Sequence, residues 1–175
     1  FWISFIPAAI SVLIIIFFVK EIRKKGNNHI RLRFNLKDYS KEFKIYIAIS
    51  TLFALGNFSY AFFILKAQDF VSIAFIPLIY LLYNIFYAVF ALPAGNLSDR
   101  VGRRNIIALG YLFFGIAAFG FVIIENSVFA WMLFAIYGVS IAFRDAVSRA
   151  YVTDLVSEDR RGTALGIYFT FTGLA

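Results

Sequence analysis

Three charged residues inside an apolar stretch carry the sharpest chemical message of this 175-residue sequence: Arg144, Asp145 and Arg149 lie within the run 129–152. Charge at mid-membrane costs about 2.5–3.5 kcal/mol per residue on insertion scales, so such side chains should face protein or a water-filled cavity and pair with one another. Asp145 and Arg149 are four apart, one above the other on a helix. Gly138, Ala142, Ala146 and Ala150 run beside them as a small-residue stripe that permits close helix packing. Two readings stand. Asp145 is either a substrate or proton site whose charge Arg144 or Arg149 sets, or one partner of a buried ion pair that holds helices in register.

Further polar groups share this setting. Asn57, Ser59 and Tyr60 interrupt one apolar run, and Tyr80, Tyr83, Asn84 and Tyr87 follow i, i+3, i+4, i+7 spacing in another, which places them on one helical face. Such a face either lines a central cavity suited to an amphiphilic solute or packs between helices. Pro77 and Pro93 are candidate kinks in that helix.

The densest motif is Pro93-Ala94-Gly95-Asn96-Leu97-Ser98-Asp99-Arg100-Val101-Gly102-Arg103-Arg104, read as a tight loop between two helices. Gly95 and Gly102 would allow backbone turns and close approach. Asp99 would accept backbone hydrogen bonds or meet the positive end of a facing helix. The arginines would hold carboxylates or lipid phosphates by forked hydrogen bonds. A second charged segment runs from Asp154 through Glu158, Arg161 and Gly162, with Ser157 placed to cap a helix.

The elements that position these groups follow from composition. Hydrophobic residues make up 62% of the chain, 15% are charged, and mean hydropathy is +0.82, an apolar surplus that needs lipid as solvent rather than a larger core. A bilayer core of about 30 Å takes roughly 20 residues of helix. On that measure the chain divides into a first span over 1–19, a basic linker over 20–44, and a bundle over 45–175 with spans near 45–65, 72–93, 105–124, 129–152 and 162–175. The expected fold class is all-α, a polytopic transmembrane helix bundle. The chain opens and closes inside apolar runs and reads as part of a longer protein.

Fourteen basic residues fall in the segments 20–44, 98–104 and 154–161, against Lys66 alone in the alternate segments. Retained Lys and Arg mark the cytoplasmic side, so these three segments should face the cytoplasm. The net charge of +7 is then topology, assisted by anionic lipid near Arg23, Lys24 and Lys25, and not a nucleic-acid surface. Cysteine is absent, and the single histidine, His29, stands in the basic linker. Neither a nucleophile triad nor metal-ligand spacing surrounds it, so no enzyme, metal site or cofactor is expected.

The motif residues Gly95, Leu97, Asp99, Arg100, Gly102, Arg103 and Arg104 resemble the cytoplasmic signature of the major facilitator superfamily. Asp154 to Ala164, with its acidic residues ahead of Arg161-Gly162-Thr163-Ala164, is similar to that family's later loop. The resemblance implies a twelve-helix fold of which this chain supplies most of the C-terminal half, from span six to the start of span eleven, with the N-terminal half as its missing partner. It implies secondary active transport of a small solute by alternating access, with proton-coupled efflux by an antiporter as one form, and a signature loop that steadies the cytoplasm-closed state. In the matching branch a Glu often stands where this chain has Asp145. That branch implies a bacterial inner membrane. A non-transporting scaffold or receptor of the same fold, or a channel subunit, remains as the alternative.

Overall fold

A computed structural model describes residues 16–17, 39–57 and 59–175. The chain divides into two compact units, Phe1–Phe34 and Asn35–Ala175, and the architecture below is that of the second. The expected first span, apart from exposed Ile16 and Phe17, and the basic linker up to residue 38 lie outside the described residues.

Six α-helices follow in order: α1 (Lys41–Gly56), α2 (Tyr60–Ala67), α3 (Ile76–Val101), α4 (Arg103–Val122), α5 (Ser127–Asp154) and α6 (Arg161–Leu174). Short 3-10 turns at Ile73–Phe75 and Glu158–Arg160 lead directly into α3 and α6. Among the described residues there is no strand, and the stretches 41–67, 73–101, 103–122 and 127–154 are long and apolar enough to cross a membrane. The surface agrees with lipid as solvent: Leu52, Leu92, Val122 and Val128 are exposed, whereas Ser50, Ser98, Ser140 and Ser148 are buried. The fold is an all-α transmembrane bundle.

Capping fixes several boundaries. The Ser40 hydroxyl accepts from the Phe43 amide at 3.2 Å, so α1 begins at Lys41, inside the segment assigned from sequence to the linker. The Asn126 carboxamide oxygen accepts from the Phe129 amide at 2.9 Å and starts α5. The expected single span over 45–65 is two helices. Helix α1 stops at Gly56, Asn57 takes extended backbone angles, and Ser59 restarts the chain by accepting from the Ala61 amide at 3.3 Å. Apolar composition continues across the interruption, which hides the break from a hydropathy reading.

The motif read as a tight loop is mostly helix. Helix α3 runs through Pro93 to Val101, because Ala94 and Ser98, four apart, still find a buried face. Gly102 alone separates α3 from α4, at φ +97°, a left-handed backbone angle that glycine adopts without steric cost. Gly95 performs no turn: it is helical, and a side chain there would meet nothing within 4 Å. Pro77 lies in the first turn of α3, where its missing N–H is not needed, so of the two expected kinks only Pro93 stands inside the helix.

Helix α5 is the central element, packed along α3 and α4. At Gly138 its backbone meets α3 so closely that an added Cβ would lie 2.4 Å from the Tyr83 carbonyl oxygen. Two apolar cores result. One gathers Phe63, Ile79, Phe114, Phe121, Phe134 and Tyr137. The other gathers Phe43, Ile47, Ala94, Ile107, Val147 and Val152 at the basic end. Between them lies a waist formed by the end of α1 with the break that follows it, by 108–113 of α4 and by 138–146 of α5.

Candidate functional site

The charged residues of α5 fall in that waist. Arg144 stands ten residues from Asp154, about 15 Å along the helix. Its Nε donates to Asp145 Oδ1 at 3.0 Å, and its Nη1 donates to Asn57 Oδ1 at 3.4 Å. The guanidinium carbon lies 5.1 Å from the Phe53 ring centroid, a cation–π placement. Phe53 in turn stacks on Tyr111 at 4.0 Å, whose hydroxyl is 3.4 Å from Ser50 Oγ. Asn57 stands just past the C-terminal end of α1, whose partial negative charge adds to the attraction for the cation.

Burial separates the two charges: the Arg144 side chain is 13% exposed and that of Asp145 is 41% exposed. Of the two arginines that could set the charge of Asp145, Arg144 does so and Arg149, one turn away, does not. Arg149 is exposed and makes no ion pair with any described residue, while Asp145 is held by its neighbour in sequence. The small-residue stripe is used in part, with Gly138 and Ala142 buried and Ala146 exposed.

The tyrosine face of α3 packs against Tyr60 and Tyr137. Tyr83 is buried, its ring 5.0 Å from Tyr80, 6.0 Å from Tyr60 and 5.7 Å from Tyr137. The Asn84 amide donates to the Tyr80 carbonyl of its own helix at 2.7 Å. Tyr87 is half-buried. Sequence alone does not single out Phe53, Tyr111 or Tyr137, since an aromatic residue within an apolar run carries no sign of which neighbour it will meet.

A second cluster closes the basic end. Arg103, first residue of α4, reaches Asp154 Oδ2 at 3.0 Å and Asp99 Oδ1 at 3.6 Å. It thereby joins the two charged segments that the sequence presents separately. Asp99 meets this arginine rather than a facing helix end. Arg161 pairs with Glu158 at 3.5 Å within the following turn. Arg100 and Arg104 are exposed, without an ion pair among the described residues, as is Leu97, and a side chain at Gly162 would meet nothing within 4 Å. Outside the spans, the Ser157 hydroxyl, then the backbone amide of Asp159 itself and then Arg160 hold the exposed Asp159 carboxyl below its ordinary pKa. Among the described residues no three His, Asp or Glu side chains gather as a metal site.

Comparison with known proteins places these features. A family model described as Major Facilitator Superfamily matches residues 46–175. An uncharacterized MFS-type transporter of Methanocaldococcus jannaschii is 45% identical over 169 residues, 93% of this chain and 42% of the relative. The MFS-type transporter YdeG of Bacillus subtilis, also uncharacterized, is 35% identical over 94 residues, 52% of this chain and 22% of the relative. An uncharacterized protein of Mycobacterium tuberculosis is 25% identical over 125 residues, 71% of this chain and 30% of the relative. The chain thus spans less than half the length of each of these relatives. No solved structure matches it.

Proposed function

The chain belongs to the major facilitator superfamily, and on that premise we propose that it forms most of the C-terminal half of a multi-pass secondary transporter that moves a small solute by alternating access. The observation that carries this reading is the waist cluster. A largely covered guanidinium, a partly open carboxylate and a break between two helices meet between the apolar cores, where two rocking halves would share a solute site.

Asp145 retains free carboxylate capacity beside Arg144. Its protonation would weaken the ion pair and release the guanidinium toward solute, which supplies a route to proton-coupled efflux. The Asp99–Arg103–Asp154 bridge supports the role of a latch on the cytoplasmic side, because ion pairs at a wet surface break and reform at small cost. On this reading the basic segments face the cytoplasm and the N-terminal half of the same protein completes the cavity.

The test uses the full-length protein in proteoliposomes, with lumenal pH recorded as drugs, sugars, amino acids and organic acids are added. Compound-dependent proton movement, lost in Asp145→Asn, is the expected result. Solute flux that persists in Asp145→Asn with unchanged pH dependence removes the proton route, and absence of flux for every compound in folded protein removes the transport reading.

A further inference from the structure

Four hydroxyl groups from three helices stand together within the apolar core at the basic end. Ser50 Oγ of α1 and the Tyr111 hydroxyl of α4 are 3.4 Å apart. Tyr46, one turn before Ser50 on α1, places its hydroxyl beside those of Ser50 and of Ser148 on α5, without a hydrogen bond of good geometry to either. The Ser148 hydroxyl likewise has no hydrogen bond to a described residue. Tyr46 is 7% exposed and Ser148 is 1% exposed. A buried hydroxyl left unpaired costs about 1–3 kcal/mol. The same core holds Phe43, Ile47, Ile107 and Val147, so phenylalanine and alanine would fill these two positions without that cost. The rings against Tyr46 are uncharged, Tyr151 edge-on at 4.8 Å and Tyr168 stacked at 6.1 Å.

Position supplies the reason that packing does not. Ser148 lies one turn beyond Asp145 on α5, where residues three apart hold their Cβ atoms about 5–6 Å from each other. Arg144 occupies Asp145 Oδ1, which leaves Oδ2 to take a proton. On the other side, Tyr46 lines a cleft of about 380 Å³ between α1, α4 and α5. The cleft also borders Glu42, exposed and one turn earlier on α1. Water entering from the basic end therefore meets Tyr46, and the Tyr46 hydroxyl meets Ser148.

We propose that Tyr46 and Ser148 form a hydroxyl relay that carries protons between the basic end and Asp145. The inference rests on the proton route proposed above, with Asp145 as its terminus. A hydronium ion in the cleft gives a proton to the Tyr46 oxygen and becomes water, while the original Tyr46 O–H proton passes to Ser148 Oγ. The Ser148 proton passes in turn to the Asp145 carboxylate, across one water. Both hydroxyls end neutral with their O–H bonds reversed, and the carboxylate ends protonated. Ser50 gives the Tyr46 hydroxyl a second neighbour toward which it rotates as the relay resets. A string that was always closed would leak protons. The missing hydrogen bond at Tyr46 leaves it open in this structure, and a small shift of α1 against α5 closes it.

The test releases protons from a caged acid by laser flash onto the full-length protein in nanodiscs and follows the carboxyl C=O stretch by time-resolved infrared absorption. The band lost in Asp145→Asn reports this carboxyl. Tyr46→Phe and Ser148→Ala should reach the wild-type amplitude about 100-fold more slowly, the lower end of what a positioned proton-transfer group contributes. Tyr151→Phe, which lines the same cleft and touches the Tyr46 ring, should match wild type. Each variant removes one oxygen atom and keeps the packing, and an equal final amplitude shows that the site is intact. A wild-type rate in either Tyr46→Phe or Ser148→Ala overturns the relay and leaves Asp145 as a proton site. Equal slowing in Tyr151→Phe assigns the effect to packing and also overturns it. If Asp145→Asn removes no band, Asp145 takes no proton, and the proton route falls together with the relay.

Discussion

Gly138→Ala should destabilise the bundle, and its size follows from one contact. The new Cβ would lie 2.4 Å from the Tyr83 carbonyl oxygen and 2.9 Å from Phe86 Cβ, where ordinary contact begins at 3.4 Å. Helices α3 and α5 must then separate by about 1 Å, because the nearest atom is backbone and cannot swing aside. Overpacking of this kind costs about 1–3 kcal/mol, and the better helix propensity of alanine returns up to about 1 kcal/mol. Since the clash is with backbone, the net loss should be about 1–2 kcal/mol, or a few degrees at about 2–4 °C per kcal/mol. Thermal unfolding of the purified full-length protein measures it, with Gly115→Ala as the partner variant. Gly115 is exposed in α4 and an added Cβ meets nothing within 4 Å, so that variant should be as stable as wild type or more so. Equal midpoints for the two variants would refute the close packing of α3 on α5.

Arg103→Gln removes two bridges, to Asp154 and Asp99, whose carboxylates are half or more exposed. The stability loss should stay near or below about 1 kcal/mol in chemical unfolding, and the double reversal Arg103→Asp with Asp154→Arg should recover part of it. Tyr46→Phe deletes a buried hydroxyl that lies beside the Ser50 and Ser148 hydroxyls without a hydrogen bond of good geometry to either. It should leave the thermal midpoint unchanged or raise it, since an unpaired buried hydroxyl costs free energy. Asp159, with its carboxyl held down first by Ser157 and then by its own backbone amide and Arg160, adds stability above the ordinary carboxyl pKa near 4 and loses it as pH falls through the depressed value. Ser157→Ala should therefore raise the Asp159 pKa in an NMR titration and lower stability slightly and evenly between pH 6 and 8, the difference from wild type vanishing once pH falls below the depressed value.

Charge and apolar length made the membrane helices legible, because lipid punishes every unpaired polar group and leaves long runs in the sequence. The cluster around Arg144 was legible in its members Asn57, Arg144 and Asp145, but which of the two arginines holds Asp145 was not. Helical spacing favours Arg149 as partner, whereas Arg144 is held by contacts from another helix, the Phe53 ring within α1 and the Asn57 carboxamide just past its end. The break after Gly56 was hidden because apolar continuity, from Leu52 through Leu55 to Phe62, outweighs a few interrupting residues in any hydropathy window. The signature segment was legible as a motif and misread as a loop. Glycine and charge suggest a turn, yet helix α3 continues until Gly102, where the backbone angle finally requires one. The bridge from Arg103 to Asp154 joins residues 51 apart, a contact that only the packing of α4 along α5 creates.

The central claim is a single solute site exposed to each side in turn, and counterflow tests it most directly. Proteoliposomes holding the full-length protein are preloaded with an unlabelled solute that the protein moves, diluted, and offered a trace of the labelled form. Alternating access predicts transient accumulation of label above its external concentration in wild type, lost in Arg144→Gln when the variant is folded. Entry of label that merely approaches equilibrium, with no overshoot from preloading, would show a channel and contradict the account.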